Sequence, residues 1–296
     1  MTTESERTDA LKLPGTTSIG SVTLNVADLD RTLELYEGVL GLANGTSAGD
    51  GVALSPPGGK WPLLCLRKAA GESASARRSA GLYHVAYLLP SRAALGALLS
   101  RIIASGYPIQ GAADHIVSEA VYLADPEGNG IELYTDRPRS AWAWTSGQVA
   151  MATEPLDLQS LIEEGARTWP SGQAIHAETS IGHVHLQIGD LRRGEDFYNG
   201  QLGFDVTQRS YPGALFLSAG GYHHHIGLNV WGGRGIPPRH EGERGLESFS
   251  ILVPDAAAFR AIAGSRSDQD SSGPGKPRVR LHDSDGIAVD ILGPHA

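Results

Sequence analysis

Apolar and polar residues alternate with a period of two in four short runs: VTLNV at 22–26, YHVAYLL at 83–89, VHLQI at 184–188 and FSILV at 249–253. That period predicts strands, because successive side chains on a strand point to opposite faces. A helical stretch follows each run, opened by a residue whose side chain can cap it: Asp28 before LDRTLELY, Ser91 before RAALGALLSRI, Asp190 before LRRGEDFY and Asp255 before AAAFRAI. Glycine-marked turns and further strands come next. Each stretch reads as βαβββ.

The stretches are copies of one another. Residues 18–42 and 180–204 align without a gap at an offset of 162, with about half the positions identical. GLYHVAYLLPSRAAL (81–95) matches GLESFSILVPDAAAF (245–259), and VYLADPEGNGIELY (121–134) matches VRLHDSDGIAVDIL (279–292). The chain therefore holds four modules, at about 17–70, 80–137, 179–235 and 245–293. The fold class expected is α+β with curved mixed sheets. A lone module leaves one sheet face bare, so modules must pair, and a pair encloses a concave interior. In chain order this gives a tail (1–16), a first domain (17–137), a connector (138–178) and a second domain (179–296). The connector carries Pro138, Pro155, Pro170 and the helical pattern LDLQSLIEEGA, and reads as ordered and long enough to let modules two and three face each other. Trp142 and Trp144 are expected to pack within it.

Composition narrows the partners. With 41% hydrophobic and 19% charged residues, the 296-residue chain suits two ordinary globular domains. Its single cysteine, Cys65, excludes an intramolecular disulfide and a cysteine-rich zinc site. A formal charge of −9 argues against a nucleic-acid partner, since phosphate contacts need clustered Lys and Arg. No apolar run has the length of a membrane span, and MTTESERTDA lacks the basic and apolar regions of a secretion signal, so a cytoplasmic location is expected.

The candidate chemistry sits at equivalent positions of the repeats. One position at the same register of the first strand in each module holds Ser21, His84, His183 and Ser248, and the closing strands of modules two and four carry Glu132 and Asp290. A strand histidine is usually structural. Two histidines and a carboxylate at matched register are instead the donor set of a facial metal triad, which leaves coordination positions open and suits Fe(II), with Mn(II) also acceptable. His185 points the same way as His183 and is the alternative ligand.

On these residues the chain resembles the vicinal oxygen chelate superfamily of glyoxalases, bleomycin-resistance proteins and extradiol dioxygenases, most closely its catechol 2,3-dioxygenase branch. The resemblance covers about 17–293 and implies four modules in two glyoxalase-like domains. Its most specific run is YLADPEGNGIELY, in which Tyr122 precedes the metal residue Glu132 by ten positions. The resemblance further implies roles near the metal for Tyr122, for His115 shortly before it, and for His224 in GGYHHHIGLNVW. Strand alternation admits either His224 or the outer pair, His223 and His225, on the inner face.

One departure decides the pairing. Module four has Ser248 for histidine, Asp290 for glutamate and Arg280 in place of Tyr122; module one has Ser21 for His183 and Pro62 opposite His224. Only modules two and three together supply His84, His183, Glu132, Tyr122, His115 and His224, so they are expected to share one site, in a monomer or a homodimer. The reaction implied is extradiol cleavage of a small aromatic diol with O2. Two other readings stay open: a metal-dependent glyoxalase-like isomerase or thiol transferase, and a drug-binding protein without turnover.

Overall fold

The computed structural model describes residues 11–45, 51–69, 79–169, 173–264 and 277–294. Module one comprises β1 (Ser18–Val26), α1 (Leu29–Leu33), β2 (Ala43–Asn44), β3 (Gly51–Ser55) and β4 (Leu64–Lys68). Module two follows with β5 (Gly81–Leu88), α2 (Arg92–Ser105), β6 (Gly111–Asp114), β7 (Ser118–Ala124) and β8 (Gly130–Asp136). The connector forms a small hairpin, β9 (Trp144–Thr145) and β10 (Gln148–Val149), and a helix, α3 (Leu158–Thr168). Module three has β11 (Ser180–Gln187), α4 (Leu191–Glu195), β12 (Asp205–Gln208), β13 (Ala214–Ser218) and β14 (Ile226–Asn229). Module four has β15 (Gly245–Leu252), α5 (Ala256–Ala263), β16 (Arg278–His282) and β17 (Ala288–Leu292) among the described residues. The four caps act as expected: Asp28, Ser91, Asp190 and Asp255 accept the backbone N–H of Arg31, Ala94, Arg192 and Ala258 with their side chains.

The sheets join modules across the connector. An eight-stranded sheet of modules two and three runs β12-β13-β14-β11-β5-β8-β7-β6, and a seven-stranded sheet of modules one and four runs β16-β17-β15-β1-β4-β3-β2. Each consecutive half of the chain, 17–137 and 179–296, thus gives one module to each sheet. The central first strands explain why both sheets are two-faced. Val22 and Leu24 of β1, Val85 and Tyr87 of β5, Val184 and Leu186 of β11, and Phe249 and Ile251 of β15 enter one apolar cluster between the sheets. Alternate residues, among them His84, His183 and Ser248, face the other way.

Tyrosines staple the two sheets together. Helices α1 and α4 each run on into one π-helical turn, Glu34–Val39 and Asp196–Gln201. From these turns Tyr36 reaches Asp125 at 3.4 Å and Tyr198 reaches Asp283 at 3.0 Å, in each case bridging the two sheets. Both aspartates close a tight turn: Asp125 accepts the N–H groups of Glu127 and Asn129, and Asp283 those of Asp285 and Ile287. The DPEGNG run is therefore a turn tied by its own carboxylate, leading directly into the strand that carries Glu132.

The connector is ordered. Its helix α3 lies against α2 at a glycine crossing, where a Cβ on Gly96 would sit 2.0 Å from the Leu161 carbonyl oxygen and one on Gly165 would sit 2.3 Å from the Ala97 nitrogen. Arg92 of α2 bonds Glu164 of α3 and Glu119 of β7, each at 2.6 Å. Trp142 is buried beside Val117, Val149 and Tyr222, whereas Trp144 is 40% exposed. The β9–β10 hairpin turns at Ser146 and Gly147, both at positive φ, and pairs Trp144 with Val149.

Candidate metal centre

The site is built on three adjacent strands of the eight-stranded sheet. His183 of β11 lies opposite Ala86 of β5, and Ala86 lies opposite Glu132 of β8. His84, two residues before Ala86, faces the same side. The small Ala86 leaves space over which His183 and Glu132 converge with His84. Nε2 of His84 is 3.0 Å from Oε2 of Glu132 and 3.3 Å from Nε2 of His183, which is itself 3.3 Å from Oε2 of Glu132. All three side chains are buried.

This triangle fits a divalent ion. Donors at right angles around a metal at about 2.1 Å stand about 3.0 Å apart, close to the edges found here. No Lys or Arg side chain lies among the described residues of the surrounding cavity. Burial pushes the Glu132 carboxyl up, but the imidazoles of His183 and His84 outweigh it and hold the carboxyl well below its usual range. Burial also pushes His183 down to about 4, against the pull of Glu132. A carboxylate and neutral imidazoles are the protonation states that bind metal. Among the described residues this is the only cluster of three such donors within ligand distance of one another.

Tyr122 stands directly opposite Glu132 across the β7–β8 hairpin, which is the structural meaning of their ten-residue spacing. Its hydroxyl is 2.6 Å from Nε2 of His115, whose Nδ1 is 2.7 Å from the Ala152 carbonyl oxygen. A carbonyl only accepts, so Nδ1 of His115 carries the proton, and in the neutral pair Nε2 accepts from the Tyr122 hydroxyl. Burial and the Glu132 carboxylate push the phenol pKa well up.

His224 lies just before β14, and its ring is 4.0 Å from that of His183, centroid to centroid. Its Nδ1 is 2.8 Å from Nδ1 of His223, whose Nε2 is 2.9 Å from Oδ1 of Asp136. The carboxylate accepts from His223 Nε2–H. In the neutral pair His223 Nδ1 then accepts from His224, leaving Nε2 of His224 with its lone pair. Of the three consecutive histidines only His224 lines the cavity; His223 turns to Asp136, and Nδ1 of His225 accepts the N–H of Ala219. His185 also lines the cavity, next to His84 on the neighbouring strand, and its Nε2 has no partner. It does not join the triad.

Two β-bulges shape the central strands, and one of them, with the connector, completes the cavity, which measures about 690 Å³. Gly182 is the extra residue of the first bulge: Ile181 pairs with Tyr87 and His183 with Ala86. A Cβ there would lie 1.7 Å from the Tyr134 hydroxyl. Tyr134 uses the opening to bond Tyr222 at 2.6 Å, and Tyr222 in turn bonds Asp136. Tyr83 is the extra residue of the second bulge, between His84 and Leu82, and the bulge turns its ring to the cavity side. Met151, Ala152 and Thr153 of the connector form part of the wall. None of these wall residues stands out in the sequence, because a bulge and a connector contact depend on the partner strand rather than on local pattern.

Comparison with known proteins agrees with the fold and the family resemblance. Residues 18–133 and 180–271 match the family model described as the Glyoxalase/Bleomycin resistance protein/Dioxygenase superfamily. A curated protein of Bacillus subtilis (strain 168), named catechol-2,3-dioxygenase, is 43% identical over 251 residues, covering 83% of this chain and 86% of that protein. Among solved structures, glyoxalase I from Zea mays has a TM-score of 0.55 at 18% identity, over 94% of this chain and 92% of that one. A Bacillus subtilis subsp. subtilis str. 168 protein assigned provisionally as a dioxygenase has a TM-score of 0.62 at 15% identity, over 96% and 87% of the two chains. Both structures speak to the fold. No helix among the described residues is long and apolar enough to cross a membrane. The repeat architecture, the triad and the match across most of the sequence place the chain in the glyoxalase/bleomycin resistance/dioxygenase superfamily, on its catechol 2,3-dioxygenase-like branch.

Proposed function

We propose that this chain is an extradiol dioxygenase, which opens the ring of a small aromatic diol with O2 at one site formed by modules two and three. The observation that carries the reading is the triangle of His84, His183 and Glu132, of which His84 and Glu132 line the cavity, with the 43% identical relative beside it. Fe(II) is the metal assigned to this triad; Mn(II) suits the same donors. When bound, the metal lowers the pKa of a chelated hydroxyl and brings diol and O2 to one centre.

The protein supplies the proton traffic and the orientation. The lone pair on Nε2 of His224 makes that imidazole the base for the second diol proton, and the same nitrogen returns a proton later in the cycle. His223 and Asp136 fix its tautomer through the two hydrogen bonds on its far side. Tyr122 presents oxygen lone pairs to the cavity while its O–H donates to Nε2 of His115. Rotation of that O–H away from His115 lets Tyr122 donate to a substrate oxygen as charge grows there. A single carboxylate in the triad favours oxygen chemistry over glyoxalase-type isomerisation.

The test is metal analysis of protein purified without oxygen, followed by catechol and then air. Iron at about one ion per chain, oxygen uptake and a yellow ring-opened product are expected. Replacement of His224 by Gln should keep the metal and lower turnover by roughly 10²–10⁴-fold. A metal-loaded protein that consumes no oxygen with any catechol would refute the proposal.

A further inference from the structure

The cavity over the triad carries information about its occupant. At about 690 Å³ it lies within the roughly 300–1,000 Å³ range of pockets that hold ligands of drug size, and it exceeds what one bare ring needs. Beyond His84 its wall is aromatic. The Tyr83 ring, brought round by its bulge, sits 5.2 Å from that of Trp231 and 5.1 Å from that of His185, both edge to face, and Phe216 lies 5.6 Å behind His185. Tyr83 and Trp231 are each 44% exposed, an unusual placing for two large rings that touch each other.

The wall lacks a cation. Among the described residues no Lys or Arg lines the cavity, and the one formal charge there is Glu132. Three arginines of modules two and three are committed to carboxylates: Arg92 to Glu119 and Glu164, Arg137 to Asp114 and Glu119, and Arg209 to Glu195. A substrate carboxylate placed against this wall, away from the metal, would give up water and meet no cationic side chain. The polar side chains that line this wall, such as the amide of Gln187, are uncharged donors or acceptors.

We propose that the site selects uncharged catechols bearing an apolar substituent, which packs on the Tyr83–Trp231 wall, and rejects catechols bearing a carboxylate. This rests on the ring-cleavage reading for the choice of catechols as ligands, and it adds the class.

Anaerobic calorimetric titration of the Fe(II)-loaded protein tests it without turnover. The ligands are catechol, 4-isopropylcatechol, 3,4-dihydroxybenzamide and 3,4-dihydroxybenzoate, the last three bearing substituents of three heavy atoms. The isopropyl compound should bind about tenfold more tightly than catechol from apolar burial. It should bind on the order of 100-fold more tightly than the benzoate, with the amide between. Trp231→Ala and Tyr83→Ala should each bring the isopropyl-to-catechol ratio close to one. An isopropyl-to-benzoate ratio of ten or less, an isopropyl preference that survives both substitutions, or no binding of any catechol overturns the inference. Admission of air afterwards separates the two readings: the predicted preference without oxygen uptake sinks ring cleavage and leaves the pocket assignment standing, whereas uptake with equal affinities does the reverse.

Discussion

Replacement of Glu132 by Gln changes one oxygen to an amide nitrogen at the centre of the triad and should uncouple metal from folding. The wild-type triad is preassembled, with edges of 3.0–3.3 Å and every member buried, so a bound ion adds its binding free energy to stability. At a free metal concentration of 100 times Kd the gain is about 2.7 kcal/mol. With an unfolding entropy of about 2.1 cal/mol/K per residue, the 296 residues give about 0.6 kcal/mol/K, so the midpoint should rise by about 4 °C. Glu132→Gln removes the only anionic donor. A loss of affinity of only about 100-fold, the scale found for residues that merely support a ligand, reduces the gain to about 0.4 kcal/mol and the shift to less than about 1 °C. The assay is scanning calorimetry under argon, with and without Fe(II) or Mn(II). Asp290→Asn is the control, because Asp290 holds the matching position in the other sheet, where Arg278 and Arg280 bind it; its metal-induced shift should equal that of the wild type. Full retention of the shift in Glu132→Gln would mean that the ion sits elsewhere, and no shift in the wild type would mean that the triad is not a metal site.

Other expectations follow from particular contacts. Gly182→Ala puts a methyl group 1.7 Å from the Tyr134 hydroxyl and 2.7 Å from its ring; overpacking of this kind costs about 1–3 kcal/mol in urea unfolding, and Tyr134→Phe in the same chain should recover part of it. Asp283 is pushed up to about 6 by burial, against the N–H groups of Ile287 and Asp285 and the Tyr198 hydroxyl. The folded chain therefore binds this proton more tightly than the unfolded chain, so the stability it contributes is complete below about pH 4 and falls as pH rises from about 4 to 6, by at most about 3 kcal/mol. Asp283→Asn should flatten that slope and be the more stable form at pH 8; identical slopes in both proteins would show that Asp283 is ionised in the fold. Ile116 holds φ of 71° in the turn between His115 and β7, a conformation costly for a β-branched residue, so Ile116→Asn should raise stability by about 1 kcal/mol in the same assay.

Much of the architecture was legible because duplication repeats the same signals. The strand period, the four caps and the offset of 162 predict four modules, and the choice of partners follows from chemistry: only modules two and three bring His84, His183 and Glu132 together. Strand register is the reason this worked, since a residue's position in a βαβββ unit fixes the face it occupies. What stayed hidden depends on contacts between distant segments. The bulges at Gly182 and Tyr83 are defined by the strand opposite. The Tyr36–Asp125 and Tyr198–Asp283 staples join modules that do not share a sheet. The connector reads as a spacer, yet its Ala152 carbonyl sets the tautomer of His115 and so the direction of the Tyr122 proton. Trp144 carries no signal that separates it from the buried Trp142.

The seven-stranded sheet shows what the same scaffold does without the triad. There Ser250 lies opposite Asp290 and Ser248 opposite Ala288, the positions that Ala86, Glu132, His84 and Gly130 hold in the other sheet. Burial pushes the Asp290 carboxyl up, but Arg280 and Arg278 more than offset it and hold the carboxyl below its usual value. Arg280 makes two bonds of 2.8 Å to it. A partly buried carboxylate on this strand requires a positive partner, because unpaired it would ionise only at a high cost. Module four meets that requirement from its own chain, with Arg280 at the position corresponding to Tyr122. In module two the corresponding residue is a neutral phenol turned toward His115, no guanidinium enters the cavity, and the carboxylate is left facing two imidazole nitrogens. One sheet thus carries the counter-charge of its carboxylate within the polypeptide, while the triad of the other is arranged to take it from solution as a divalent ion.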